Sequence, residues 1–418
     1  MPSKASLNIV GLKALLSQIG GAQTGTKGVL QANLEKALRV PKLKDGKARV
    51  LSVDMGIRNL AFCVCDVEVR VPQSSHTKSR KPINTDAPNV AVEVVVWQRL
   101  ALDTKTSTKD STAIDVDGET DTKSTSSETT IPKVLEGVTL KISPTIIALS
   151  SYTPAALAPL AYSVLTSLFL PHAPSTILIE QQRSRSQSSA AIQEWTYRVN
   201  MLEAMLWAVL ETLKGEKQGL TKSTKKTKNT AATAAANDNF PEVFAVSPAR
   251  VGEFWMSSKA GEQVRADRDA SSSSSSVPAK STTALPKHKT RKVEKKDKVA
   301  LVAQWLTQPL SRTLSSTDPA PKRTDKNKDG GDNTMARLTG VQLTFSAQAE
   351  AMRAAFLDRR SKGGRKRAIM AAGEGDALTK LDDLADCLLQ ATAWARWEGN
   401  RRELIGLGEE ELVERVSG

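Results

Sequence analysis

Apolar positions in this chain alternate over short runs, recur at helical spacing over longer ones, and disappear between them. The run over 49–67, RVLSVDMGIRNLAFCVCDV, sets the frame. Val50, Leu51 and Val53 are apolar and mostly β-branched, which predicts a buried strand. Asp54 ends it, Gly56 permits a tight turn, and 60–67 leads back, so the pattern predicts a hairpin. A third strand is predicted over 90–102, where Val92, Val94 and Val96 alternate with Ala91, Glu93 and Val95. The stretch 154–170 predicts an apolar helix, with Pro154 suited to a first turn and Pro159 marking a kink or the true start. Ile177, Leu178 and Ile179 form a fourth strand that Glu180 ends. A helix over 190–213 follows, with Ile192, Trp195, Val199, Leu202, Leu206 and Leu210 on its apolar face. A fifth strand is predicted over 243–246, and Ser247-Pro248 then opens a helix through Val251, Phe254 and Trp255. Helices over 287–305 and 349–359 precede a closing helix over 378–397, whose core face is Leu381, Leu384, Ala385, Leu388 and Leu389. The fold class is therefore α/β, a mixed five-stranded sheet flanked by helices.

Ahead of this lies a smaller unit. Leu12, Leu15, Leu16 and Ile19 form a helical stripe that Gly20-Gly21 stops. Thr24-Gly25-Thr26-Lys27 is a turn whose Thr26 can cap the next helix, and Leu30, Leu34 and Leu38 form the facing stripe. The unit resembles a SAP-type helix–turn–helix, a small DNA-binding module, carried mainly by the T-G-T-K-x-x-L run. A helix N-terminus with Lys27 beside it offers N–H groups and charge to a phosphate. The plainer reading is a helical hairpin used only for packing. Residues 1–40 are thus expected to be a self-contained module and 41–418 a single domain.

Four tracts, near 103–130, 215–239, 260–285 and 309–345, are too polar to offset the entropy of ordering them and are expected to be disordered inserts. Aromatic residues make up only 4% of the 418 residues, which accords with one core rather than several. The formal charge of +14 favours a polyanionic partner, nucleic acid before anionic membrane. No apolar run reads as long enough to span a bilayer, so no membrane partner is expected. Cys63, Cys65 and Cys387 lie in apolar segments and read as buried free thiols in a reducing compartment. His76, His172 and His288 are the chain's only histidines and C-x-x-C is absent, which argues against zinc. The N-terminus holds two Lys, no Arg and no signal-peptide core, at most a weak transit peptide.

The candidate chemistry is carboxylate chemistry. An acid at the inner end of a central strand is costly to bury unless it is paired or holds a metal. Asp54 is one such acid, although a lone D-x-G also reads as a capped turn. Glu180 is a second, followed by Gln181, Gln182, Arg183 and Arg185, a combination hard to reconcile with core and otherwise read as a salt-bridged strand end. Asp382, Asp383 and Asp386 stand at the start of the closing helix, where offsets of three and four residues put Asp386 on the same face as both others. Acids in a first turn suit the helix dipole, but Asp386 sits further in, among core positions. Arg58, in the turn after Asp54, is a candidate DNA contact. Most lysines of the 287–305 helix read as a solvated face, with Lys296 and Lys298 as candidates for charge stabilisation.

Three hairpin strands, a helix, a strand, a helix, a strand and closing helices is the order of the ribonuclease H-like fold. Together, SVDMGIRNLAF, ILIEQQRSRS and KLDDLADCLLQ resemble the fungal mitochondrial Holliday junction resolvases, a RuvC-related family that also carries an N-terminal SAP-like module. The resemblance covers about half the chain. It implies a mitochondrial homodimer that binds a four-way DNA junction and makes symmetric cuts with two divalent ions, Mg²⁺ or Mn²⁺. The implied metal ligands are Asp54, Glu180, Asp386 and one of Asp382 or Asp383, with no nucleotide cofactor. Independently of any family, phosphodiester hydrolysis needs an activated water and a stabilised leaving oxygen, and hard cations held by carboxylates supply both. Two rivals remain. An actin-like or sugar-kinase-type ATPase needs a second phosphate-binding D-x-G hairpin, and Asp329-Gly330-Gly331 lies in a polar insert without strand signals. A non-catalytic DNA-binding scaffold needs no such set of acids.

Overall fold

The computed structural model describes residues 7–39, 43, 45–70, 89–102, 151–182, 194–224, 240–272, 293–307, 334–361, 381–407 and 411–414. Six strands form one sheet in the order β5-β4-β1-β2-β3-β6. β1 (Lys47–Asp54), β2 (Leu60–Val69) and β3 (Val90–Leu100) are the antiparallel meander, with Asp54 facing Ala61 at the turn. β4 (Thr176–Glu180) lies parallel to β1, pairing Val53 with Ile179, and β5 (Glu242–Val246) lies parallel to β4. Asp54 and Glu180 therefore end neighbouring parallel strands at the same edge of the sheet.

The sheet has six strands where the sequence predicts five. β6 (Val341–Phe345) pairs parallel with β3, inside the tract expected to be an insert over 309–345. Its signal is one alternating pentapeptide after a Lys/Asp/Gly-rich stretch; Val341 is buried, while Leu343 and Phe345 pack on the core from one side. A short helix, α8 (Thr334–Thr339), precedes it, and Gly340 turns the chain with φ +67°. The tract over 260–285 likewise begins inside a helix, α6 (Lys259–Ser272), whose apolar stripe is reduced to Ala260 and Val264. α4 (Glu194–Thr224) runs beyond the predicted boundary into the tract over 215–239. The tract over 103–130 lies outside the described residues.

Each face of the sheet has its own core. One side of β1–β3, including Val50, Cys63, Cys65, Val92 and Val94, packs on α5 (Pro248–Met256), α7 (Lys295–Leu306), α9 (Ala347–Ser361) and α10 (Leu381–Ile405). The other side, including Leu51, Val53, Phe62 and Val64, packs on α3 (Pro154–Ser163) and α4. α3 continues through a π-helical segment, Val164–Phe169, and a 3₁₀ turn, Leu170–His172. The 19 residues Pro154–His172 are in fact long and apolar enough to cross a membrane by length and composition, with mean hydropathy 1.4, contrary to the expectation from sequence. Here Leu157, Leu160, Val164, Leu165 and Phe169 are spent on the core beneath the sheet. Cys63, Cys65 and Cys387 are buried free thiols, as expected.

The predicted N-terminal helical pair is α1 (Ile9–Gln18) and α2 (Lys27–Leu38). Leu12, Leu15, Leu16, Ile19 and Leu30 are fully buried. Thr26 is the N-cap residue of α2, but its side chain makes no capping hydrogen bond. The pair packs onto the end of α10, sharing a core with Leu404 and Leu412. Gly20 lies against the Trp397 ring, with φ +66° and no room for a Cβ. Arg250, Asn400 and Arg401 donate to the carbonyls of Gly20, Gln18 and Ile19.

Candidate active site

The site assembles from three chain segments. β1 delivers Asp54, β4 delivers Glu180, and the first turns of α10 deliver Asp382, Asp383 and Asp386. Gln390 fixes how α10 lies on the sheet. It is buried, one turn beyond Asp386, and its Nε2 donates to Ser52 Oγ at 3.0 Å, Leu178 O at 3.2 Å and Val53 O at 3.4 Å. Ser52 Oγ in turn donates to Cys387 O at 2.8 Å. One amide thus ties α10 to both acid-bearing strands within two residues of Asp54 and Glu180, a buried polar network of the kind that specifies a single packing.

The acids interact. Glu180 is among the groups that act on Asp54. Burial, then the charge of Glu180, then those of Asp386 and Asp383 push Asp54 well above the usual carboxylate range. Asp386 is also raised, mainly by burial and against the pull of Lys298, whose Nζ lies 2.9 Å away. Asp383 faces Arg99 Nε at 3.6 Å. Asp382 turns to Lys295 Nζ at 2.6 Å, and that contact raises the lysine. Asp383 therefore acts on Asp54, while Asp382 acts on Asp386.

The remaining candidates divide. Arg58 lies over the Trp195 ring at 5.1 Å from its centre. Gln181 is exposed and its N–H donates to Val246 O; Gln182 N–H donates to Glu203 on α4. Arg183 and Arg185 lie outside the described residues. Lys298 reaches the acids, whereas Lys296 is exposed on α7. Lys27 is the first residue of α2, on the hairpin docked at the opposite end of α10. Sequence reading missed Arg99 and Lys295. The only trace of Arg99 is a cation late in an apolar strand, and Lys295 was hidden in a run of lysines.

Among the described residues no three His, Cys, Asp or Glu side chains converge closely enough to form a ready metal cage. The donor set nonetheless fits a hard divalent cation: it is all carboxylate oxygen, half-buried and mutually repelling. As placed, Lys298 and Arg99 hold two of the carboxylates.

The family described as "Mitochondrial resolvase Ydc2 / RNA splicing MRS1" matches residues 50–404. The chain belongs to this family. Among curated proteins, "Cruciform cutting endonuclease 1, mitochondrial" of Schizosaccharomyces pombe is 45% identical over 58 residues, 14% of this chain. The matched part spans 22% of that relative's length. Among solved structures, the yeast mitochondrial Holliday junction resolvase Ydc2 aligns with TM-score 0.43 and 17% identity, over 95% of this chain and 96% of that one. The match to the Ydc2/MRS1 family runs from β1 through most of α10 and so includes all five candidate acids.

The acid cluster has a consequence for stability. Because the folded values of Asp54 and Asp386 are raised, the folded form holds protons that the unfolded chain releases. The stability linked to them is fully present below the ordinary carboxylate pKa and is lost as pH rises through the raised values. In a chelating buffer the thermal midpoint should fall across that window, and Asp54→Asn should flatten the fall. A pH profile unaltered by Asp54→Asn would contradict the coupling.

Proposed function

We propose that the chain is a structure-selective endonuclease that resolves four-way DNA junctions by metal-dependent phosphodiester hydrolysis, acting in mitochondria. The observation that carries this is the action of Glu180, Asp386 and Asp383 on Asp54, where the ends of β1 and β4 face the start of α10. Four half-buried carboxylates, two of them, Asp54 and Asp386, with raised proton affinity, are unfavourable for stability and suited to cation binding. The six-stranded mixed sheet is read as ribonuclease H-like and the N-terminal hairpin as SAP-like.

Asp54, Glu180, Asp386 and Asp383 would hold the metal, two Mg²⁺ or Mn²⁺ ions on this reading, which supplies an activated water and a stabilised leaving oxygen. Lys298 and Lys295 offset the acid charge on the approach of a phosphate. Gln390 keeps the acid-bearing turn of α10 against the strands. Lys27, Arg58, Gln181, Gln182, Arg183 and Arg185 are proposed DNA contacts. Symmetric cutting of a junction further calls for a homodimer.

The pairing of Asp386 with Lys298 and of Asp383 with Arg99 favours a second reading, a nucleic-acid-binding scaffold without catalysis. One experiment separates the two. A four-way junction and a matched linear duplex are incubated with the protein, with and without Mg²⁺. Paired, Mg²⁺-dependent nicks in the junction alone support the nuclease; binding without cutting under every metal condition supports the scaffold. The two adjacent aspartates can be told apart in the same assay. Asp383→Asn should abolish cutting, whereas Asp382→Asn should retain most of it, and the reverse result would make Asp382 the ligand.

A further inference from the structure

α4 begins with an aromatic residue that packs against the edge of the core and is only partly covered by it. The core tryptophans Trp97 and Trp255 are each 1% exposed, with their indole N–H groups bonded to the carbonyls of Leu384 and Leu389. Trp195, in the first turn of α4, is only half-buried. Its ring meets the Tyr152 ring edge-on at 5.7 Å. Arg58 covers Trp195 at 5.1 Å, and Arg198 covers Tyr152 at 4.2 Å. Tyr197, beside them in sequence, is 59% exposed. The result is a pair of aromatic rings flanked by two cations, reaching from the β1–β2 turn to the start of α4.

This array adjoins the acid site by two routes. Arg58 is four residues past Asp54, and its neighbour Asn59 accepts from Arg99, which faces Asp383. On α4, Glu203 accepts from Gln182 just beyond Glu180. Trp195 lies two helical turns before Glu203, about 12 Å along the axis. That is the length of about three to four stacked nucleotides of one strand.

We propose that Trp195 and Tyr152, gripped by Arg58 and Arg198, form a stacking seat for an unpaired DNA base a few nucleotides from the cut. The inference rests on the junction-nuclease reading and adds to it a source of structure selectivity. An aromatic ring accepts any base by its face once the guanidinium that covers it swings out to hold the phosphate that follows. A fully paired duplex hides its base faces, whereas a branch point frees them. The seat therefore rewards junctions over duplexes without reading sequence.

The test uses the full chain in chelator, so that binding is read without cutting. Trp195→Ala should weaken junction binding about ten-fold and leave matched-duplex binding unchanged. Trp195→Phe should restore most of the loss. Wild-type protein should show the same loss when one nucleotide within four of the crossover is made abasic, a measurement that needs no folded variant. The seat is overturned if no abasic position costs affinity, or if Trp195→Ala weakens duplex and junction equally. Those outcomes leave the nuclease reading standing as long as Mg²⁺-dependent cutting of the junction persists. Absence of any junction preference in the wild-type protein overturns both.

Discussion

Asp54→Asn should yield a protein that still binds a four-way junction and no longer cuts it. The substitution keeps the side chain's size and removes one negative charge from the centre of the acid cluster. Asp54 is the residue on which burial, Glu180, Asp386 and Asp383 all converge, so its charge is the one most dependent on a cation to offset it. Cutting should fall by about three orders of magnitude or more, equivalent to about 4 kcal/mol of barrier. Glu180→Gln should behave the same way. Binding should persist or tighten, because phosphate affinity comes from Arg and Lys and one repelling carboxylate is gone. The folded state should be at least as stable in chelator, since a raised carboxylate has been replaced by a neutral amide. That last expectation separates the proposal from its plainest rival. If Asp54→Asn loses binding and cutting and is also unfolded, the acids are structural. Wild-type cutting by Asp54→Asn, or cutting that survives removal of Mg²⁺, would sink the metal-dependent mechanism.

Much of this site was legible because strand ends are punctuated sharply. A β-branched run followed at once by an acid places that acid at a sheet edge, and Asp54 and Glu180 lie where such a pattern predicts. Helical offsets on α10 brought Asp386 to the acids, but they could not choose between Asp382 and Asp383. That choice depends on cations from β3 and α7, Arg99 and Lys295, whose long side chains leave no periodic trace. Nor could sequence reveal Gln390, since a lone amide among core positions looks like an interruption of the stripe rather than its anchor. β6 and α6 escaped for a related reason. Each needs only two or three apolar contacts because the rest of the core is already built, so local composition was dominated by the charged tracts beside them.

Arg401→Met should destabilise the whole chain by about 3–5 kcal/mol. Arg401 and Glu398 form an ion pair whose side chains are 4% and 1% exposed, and burial draws the guanidinium down to about 10 while leaving it charged at neutral pH. Removing the cation strands a carboxylate in the core, which costs far more than the pair contributes. Arg401 also donates to Ile19 O at 3.2 Å, beside the Asn400 bond to Gln18 O, so the N-terminal hairpin loses one of its ties to α10. The hairpin's seat against Trp397 should then loosen, which an indole emission shift reports before global unfolding. Replacing both partners, Glu398→Leu with Arg401→Met, should recover most of the stability, because a well-packed apolar pair is often neutral or better than a buried ion pair. The hairpin tie to Ile19 would remain absent in that double variant. α10 carries both ends of this argument: Asp383 and Arg401 are about 27 Å apart along one helix. If the hairpin binds DNA through Lys27, the double variant should therefore lose junction affinity while keeping its fold and its Mg²⁺-dependent cutting at high protein concentration. A double variant that binds junctions as tightly as wild type would place the DNA surface elsewhere, and a single variant that costs less than about 1 kcal/mol would mean the pair is not buried in solution.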